Sequence, residues 1–166
     1  SSDIAASTLR GFGLAADQAG HVADVLAKNA ADTNAAVADT GEAMKYIAPV
    51  AQNAGWSLES VTAAIGEMSN AGIKGTQAGT TLRGALTNLM NPSKEQATAM
   101  KQIGFSAYDA QGKMKPLSQI VNDLSTKTKG LSDKQRDQVI ATIMGTDALS
   151  GMQVLLKDGS GSLNTL

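Results

Sequence analysis

Asn70-Ala-Gly-Ile-Lys-Gly-Thr-Gln-Ala-Gly-Thr-Thr-Leu-Arg-Gly-Ala-Leu-Thr-Asn-Leu-Met-Asn-Pro-Ser93 is the stretch on which the reading of this chain turns. Gly72 and Gly75 give a tight corner with two relaxed backbone positions. Ala78, Leu82, Leu86 and Leu89 recur at helical spacing and predict a helix from about Thr76 to Asn91. Pro92 stops it, because the residue before a proline avoids helical geometry. Gly79 and Gly84 fall inside that helix. A glycine there costs about 0.5–1 kcal/mol relative to Ala, so something must offset it. Close approach by the backbone of another helix would do so, and a Gly79→Leu variant would then melt at a lower temperature. Arg83 projects from the same helix. It either reaches carbonyls that end the helix before it or is solvated, and the sequence leaves both open.

Upstream, Ser57 caps a helix running to about Ala71, with Glu59 in the first turn, where the dipole favours a carboxylate. Its stripe is Leu58, Val61, Ile65 and Met68, and Gly72 fits the left-handed residue that ends it. Before that, Asn34 reads as the N-cap of a helix carrying Val37, Met44, Ile47 and Ala51. Pro49 should kink or split that helix, and Gly55 closes it. Between Ala15 and Ala30 another helix is expected, with Ala19, Val22, Ala23, Leu26 and Ala30 on one face.

Downstream, Ser93 with Gln96 and Ser132 with Gln135 form two capping boxes. They open helices Lys94–Ile103 and Asp133–Met144, ended by Gly104 and Gly145. Residues 105–115 alternate apolar and polar around a turn at Asp109-Ala-Gln-Gly112, which predicts a small β-hairpin. Pro116 suits the first turn of a helix with Leu117, Ile120, Val121 and Leu124, closed by Gly130. A last helix, Asp147–Lys157, presents Leu149, Met152 and Leu156. The expected fold is mainly all-α: an orthogonal, array-like bundle of about seven or eight short helices with one small β-hairpin near 105–115. Residues 1–157 are expected to form the helical domain, with a candidate sub-boundary near Pro92. Residues 158–166 are expected to be a flexible exit toward the rest of a longer chain. The missing initiator Met and the stop within a Gly/Ser stretch also suggest a piece of a longer polypeptide.

Composition supports a helical core. The 166 residues are 42% hydrophobic but only 3% aromatic, so the core must be built from Leu, Ile, Val, Met and Ala. Small residues let helices approach closely, whereas a β-sandwich wants rings and β-branched side chains. There is no Cys, which excludes disulfides and thiol chemistry, and one His, which excludes a multi-histidine metal site within the chain. No apolar run approaches the length that spans a bilayer. A mild basic excess is densest from Lys113 to Arg136. It reads as a solvated helix surface, because nucleic-acid-binding domains carry a higher pI than 5.7 and stacking aromatics.

Site chemistry is sparse. Gly11-Phe-Gly-Leu-Ala-Ala16 matches a dinucleotide-binding pattern but lacks the preceding strand. Gly75-Thr-Gln-Ala-Gly-Thr-Thr81 lacks the lysine of a phosphate loop. Asp109-Ala-Gln-Gly112 lacks the later oxygen ligands of a calcium loop. His21 has no nearby nucleophile arrangement, and the carboxylates are scattered. Met44, Met68 and Met144 lie on core stripes and read as gap-fillers. No catalytic, cofactor-binding or metal-binding residue is assigned, and no cofactor is expected.

The Ala71–Arg83 run resembles the core domain of the phage tail tape measure protein family. The likeness continues through Val22–Ala27, Tyr46–Ala51 and Gly55–Glu59 upstream. Downstream it includes Ile103-Gly-Phe105, Asp109–Lys113 with Pro116-Leu117, Leu131–Arg136 and Ile143–Ala148 in the family's order. Met144 departs from the pattern, since the family usually carries an aromatic there. The resemblance implies a structural, non-enzymatic role, in a phage or a prophage. Such proteins fill the tail tube during assembly, set tail length and leave through the tube at infection. Implied partners are the tail tube, tail chaperones and tail tip, with self-association, and the host membrane through the full-length chain; no specific nucleic acid is implied. The implied location is the virion tail, and the host cytoplasm during assembly. The resemblance assigns no chemistry to Gly72, Gly75, Gly79, Leu82, Arg83 or Gly84, which stand as a structural motif. Two other readings remain: a helical binding module that docks tail components or host membrane, and a cell-wall hydrolase.

Overall fold

A repeated way of ending helices organises the fold. In the computed structural model, which describes residues 2–159 and Leu163, α3 (Val37–Ala54), α4 (Leu58–Asn70) and α6 (Lys94–Ile103) all stop at a glycine with positive φ. These are Gly55, Gly72 and Gly104. At each, the next residue's N–H turns back to a carbonyl five residues earlier: Trp56 to Ala51, Ile73 to Met68 and Phe105 to Met100. The glycine conformation satisfies the orphan carbonyls and aims a large apolar residue inward. Trp56 and Phe105 are accordingly buried.

The remaining helices are α1 (Ser2–Gly11), α2 (Ala19–Asp32), α5 (Gly75–Met90), α7 (Leu117–Lys127), α8 (Asp133–Met144) and α9 (Leu149–Asp158). Short 3₁₀ turns precede α2 and α9. The all-α expectation holds, with nine α-helices among the described residues. α3 and α5 form the most extensive pair. α1 packs on α3, and α2 on α1 and α4; α8 joins α5, α6 and α9. α8 and the segment from Thr146 to Asp158 meet at 117°. Among the described residues no single helix is long and apolar enough to cross a membrane.

α4 runs through the middle. Every residue from Ser60 to Ser69 is buried, not only the expected stripe of Leu58, Val61, Ile65 and Met68. Thr62, Gly66 and Ser69 are small enough for neighbours to cover the faces that look polar in sequence. A Cβ on Gly66 would lie 2.3 Å from Asn29 Oδ1 of α2, and one on Gly151 of α9 would lie 2.9 Å from the Met68 sulfur.

Several expectations are corrected. The β-hairpin does not form; residues 105–115 make only one antiparallel bridge, Tyr108 with Met114. The turn is tight, with Asp109 Oδ1 accepting from the backbone N–H of Gln111 and Lys113, each at 2.9 Å. The ladder ends early because Pro116 has no N–H and Ser106 Oγ takes the N–H of Tyr108 at 3.2 Å. The Lys115 carbonyl accepts instead from Trp56 Nε1 at 3.1 Å. Asn34 does not cap α3, which begins at Val37 after Ala36; the Asn34 N–H donates to Asn70 Oδ1 at 2.7 Å. Pro49 does not split α3, which runs unbroken through it. Met44, Ile47, Ala48 and Ala51 are all buried around the proline, and that packing offsets the missing hydrogen bond. α2 buries Val22, Val25, Leu26 and Asn29, while Ala19 and Ala23 are exposed. α7 closes at Thr128, whose hydroxyl donates to the Leu124 carbonyl at 2.7 Å, not at Gly130. α1 was not anticipated. The expected exit, 158–166, lies mostly outside the described residues; Asp158 ends α9 and Leu163 is buried in the core.

Candidate functional site

The Ala71–Arg83 corner joins α4 to α5. Gly72 ends α4 with φ 90°. Lys74 is extended, and α5 starts at Gly75, itself at φ 54° and buried. The corner therefore needs two positions that side-chain-bearing residues rarely adopt. It sets the angle at which α5 leaves and lays Gly79 on α3.

Gly79 is where the two helices come closest. A Cβ built there would lie 2.4 Å from the Ala43 carbonyl oxygen and 2.8 Å from its Cα. Both are backbone atoms, so no rotamer change relieves the clash. Ala78, Leu82, Ala85, Leu86 and Leu89 are buried on the inner side of α5. Gly84, the second glycine expected to admit a neighbour, has nothing within 4 Å of its Cβ position. Arg83 is exposed and makes no hydrogen bond or ion pair with a described residue, so it does not reach the carbonyls ending α4. The motif thus splits: Gly72, Gly75, Gly79 and Leu82 lie at the corner or in the core, while Arg83 and Gly84 face outward.

The other candidates settle into structural places. Gly11 ends α1 and Gly13 follows in a left-handed turn, with no strand before them. His21 Nε2 meets Glu59 Oε1 at 3.1 Å on an exposed face, linking α2 to the first turn of α4. Lys45, within 2.8 Å of Glu42, has its pKa raised chiefly by that hydrogen bond. Among the described residues no three His, Cys, Asp or Glu side chains gather where a metal could bind. Glu67, buried at 8% exposure inside α4, is an acidic group the sequence did not single out. The two exposed large hydrophobics among the described residues, Met90 and Tyr108, line one shallow cleft of about 490 Å³ beside Met114.

Comparison with known proteins gives this architecture its context. Residues 1–145 match the family model described as phage-related minor tail protein. The whole chain is 52% identical over 166 residues to the tape measure protein of Pneumococcus phage Dp-1, and covers 14% of that protein. It is 34% identical over 158 residues to the probable tape measure protein of Escherichia phage P2, covering 93% of this chain and 19% of that one. The chain thus spans less than a fifth of the length of either relative. No solved structure matches.

Proposed function

The chain belongs to the phage-related minor tail protein family, and from that premise we propose that it is a structural domain of a phage or prophage tail tape measure protein. In this reading it acts in tail assembly and in setting tail length, then leaves through the tail at infection. It works in the virion tail after assembly in the host cytoplasm, and its partners are other tail proteins. It carries no catalysis. The observation that supports the reading is the identity with the Dp-1 tape measure protein, which runs through all 166 residues. A core of close-set helices with dispersed carboxylates suits a part that occupies space and touches neighbours.

The test is an in-frame deletion of these residues in the phage or prophage that encodes them, with tails measured by electron microscopy. Absent or shortened tails are expected; tails of normal length contradict the proposal. The size of the change also reports conformation. As one extended helix the segment would span about 250 Å at 1.5 Å per residue. As a folded domain, with a radius of gyration of about 15 Å, it would add far less. Clearing of purified cell wall by the chain would contradict the non-enzymatic part of the proposal.

A second reading, a binding module for another tail component, is favoured by the pairing of Met90 and Tyr108 in one exposed cleft. Retention of purified tail tube or tail tip protein by the chain, lost in Met90→Asp with Tyr108→Asp, would support it. Equal retention by both proteins would exclude that surface.

A further inference from the structure

Two cations of the basic stretch between Lys113 and Arg136 meet a third, Lys157, around one cleft. Lys129 from the turn after α7, Arg136 from α8 and Lys157 from α9 line one cavity of about 390 Å³, together with Ser125, Asp137 and Gln153. One carboxylate shares the space with three cations. That carboxylate, Asp137, offsets one of the three charges but forms an ion pair with none of them; its Oδ1 accepts from Gln153 Nε2 at 2.9 Å. Among the described residues no acid pairs with Lys129 or Lys157. Arg136 meets only Asp133 Oδ1, at 3.4 Å, and that side chain is 95% exposed. Such an exposed pair in water contributes little.

Helix dipoles account for part of this arrangement. Lys129 and Lys157 stand near the C-terminal ends of α7 and α9, where cations are favoured. Arg136 does not fit that explanation, because it lies one turn into α8, near the end where the dipole disfavours positive charge. Three elements therefore converge like charges on one concave site, whose single carboxylate leaves the three cations in excess. We propose that this cleft binds a phosphate-type oxyanion. The guanidinium of Arg136 presents two parallel N–H groups that match two oxygens of a phosphate, and the two ammonium groups supply charge from the other walls. The shared chemistry is the phosphate group, whether free in solution or within a nucleic-acid backbone.

Inorganic phosphate titrated into ¹⁵N-labelled chain, at ionic strength held constant with chloride, tests the site. Saturable amide shifts are expected in 125–129, 136–140 and 153–157, with affinity at least tenfold weaker in K129Q/K157Q. Shifts reproduced by chloride alone, shifts scattered over the surface, or an unchanged affinity in the variant would overturn the proposal. Should the double variant's spectrum show unfolding, R136Q carries the same expectation and the same refutation. A short duplex oligonucleotide that moves the same amides, and loses that effect in the variant, supports the site with a phosphodiester as its source. Phosphate moving them while the oligonucleotide does not supports it with the free ion as its source.

Discussion

Two helix pairs in this molecule are joined in opposite ways. α3 and α5 meet backbone to backbone at Gly79 and Ala43, and α3 alone buries Thr40, Ala43, Met44, Ile47, Ala48 and Ala51. α6 and α8 leave an open groove of about 860 Å³ between them, floored by Ala99, Ile103, Leu131 and Val139. α6 buries only Ala99 and Met100. Its order comes from its ends. Ser93 and Gln96 exchange hydrogen bonds at the start, Gly104 turns the chain back at the finish, and Gln96 Nε2 donates to the Ile143 carbonyl at 3.4 Å. α8 opens with the same device at Ser132 and Gln135. One seam rests on the absence of a side chain, the other on the chemistry of helix termini. Substitutions should therefore act differently on each.

The largest effect is expected from Gly79→Leu. A side chain there must displace the Ala43 backbone, and the loss should reach at least about 3 kcal/mol, or roughly 6–12 °C in Tm. A melt within two degrees of the parent would break the contrast. Trp56→Phe comes next. It removes the indole donor from the Lys115 carbonyl and should cost about 1–2 kcal/mol, read as a lower urea midpoint at unchanged m-value. On the other seam, Ser93→Ala and Ser132→Ala should cost about 1 kcal/mol each. The Gln96–Ile143 bond runs between the start of α6 and the end of α8, so the two caps sit at opposite ends of the pair and their losses should add. Strong coupling in the double variant would show that the groove is tighter than it looks. The smallest effect is Gly84→Ala. Open space surrounds that Cβ position, so a better helix former should raise stability by about 0.5–1 kcal/mol.

Most helix ends were legible in the sequence because their signals are local, although Asn34 and Gly130 are not the caps that their types suggest. Ser57, Ser93, Ser132, Gly55, Gly72 and Gly104 cap as their types and spacing predict. What depended on partners was harder to read. α1 buries Ala5 and Thr8, with Phe12 just beyond it, a face too small and polar to stand out, though Asp3 and Arg10 complement its dipole. α4 was read as one-sided, because nothing in a sequence says that Thr62 and Ser69 will be covered. The hairpin looked sound from its turn, and failed where Pro116 and Trp56 limited its arms. At the corner, Gly79 and Gly84 are alike as letters, and only the position of α3 separates them. The charges around Arg136 were visible, but Lys157 joins them only through the packing of α9 on α8.

That separation of two glycines on one helix carries the account of how this domain is held together, and paired thermal melts of Gly79→Ala and Gly84→Ala test it most directly. Opposite signs are expected: a fall of about 1–3 kcal/mol for Gly79→Ala and a small rise for Gly84→Ala. Two shifts in the same direction and of similar size would contradict it.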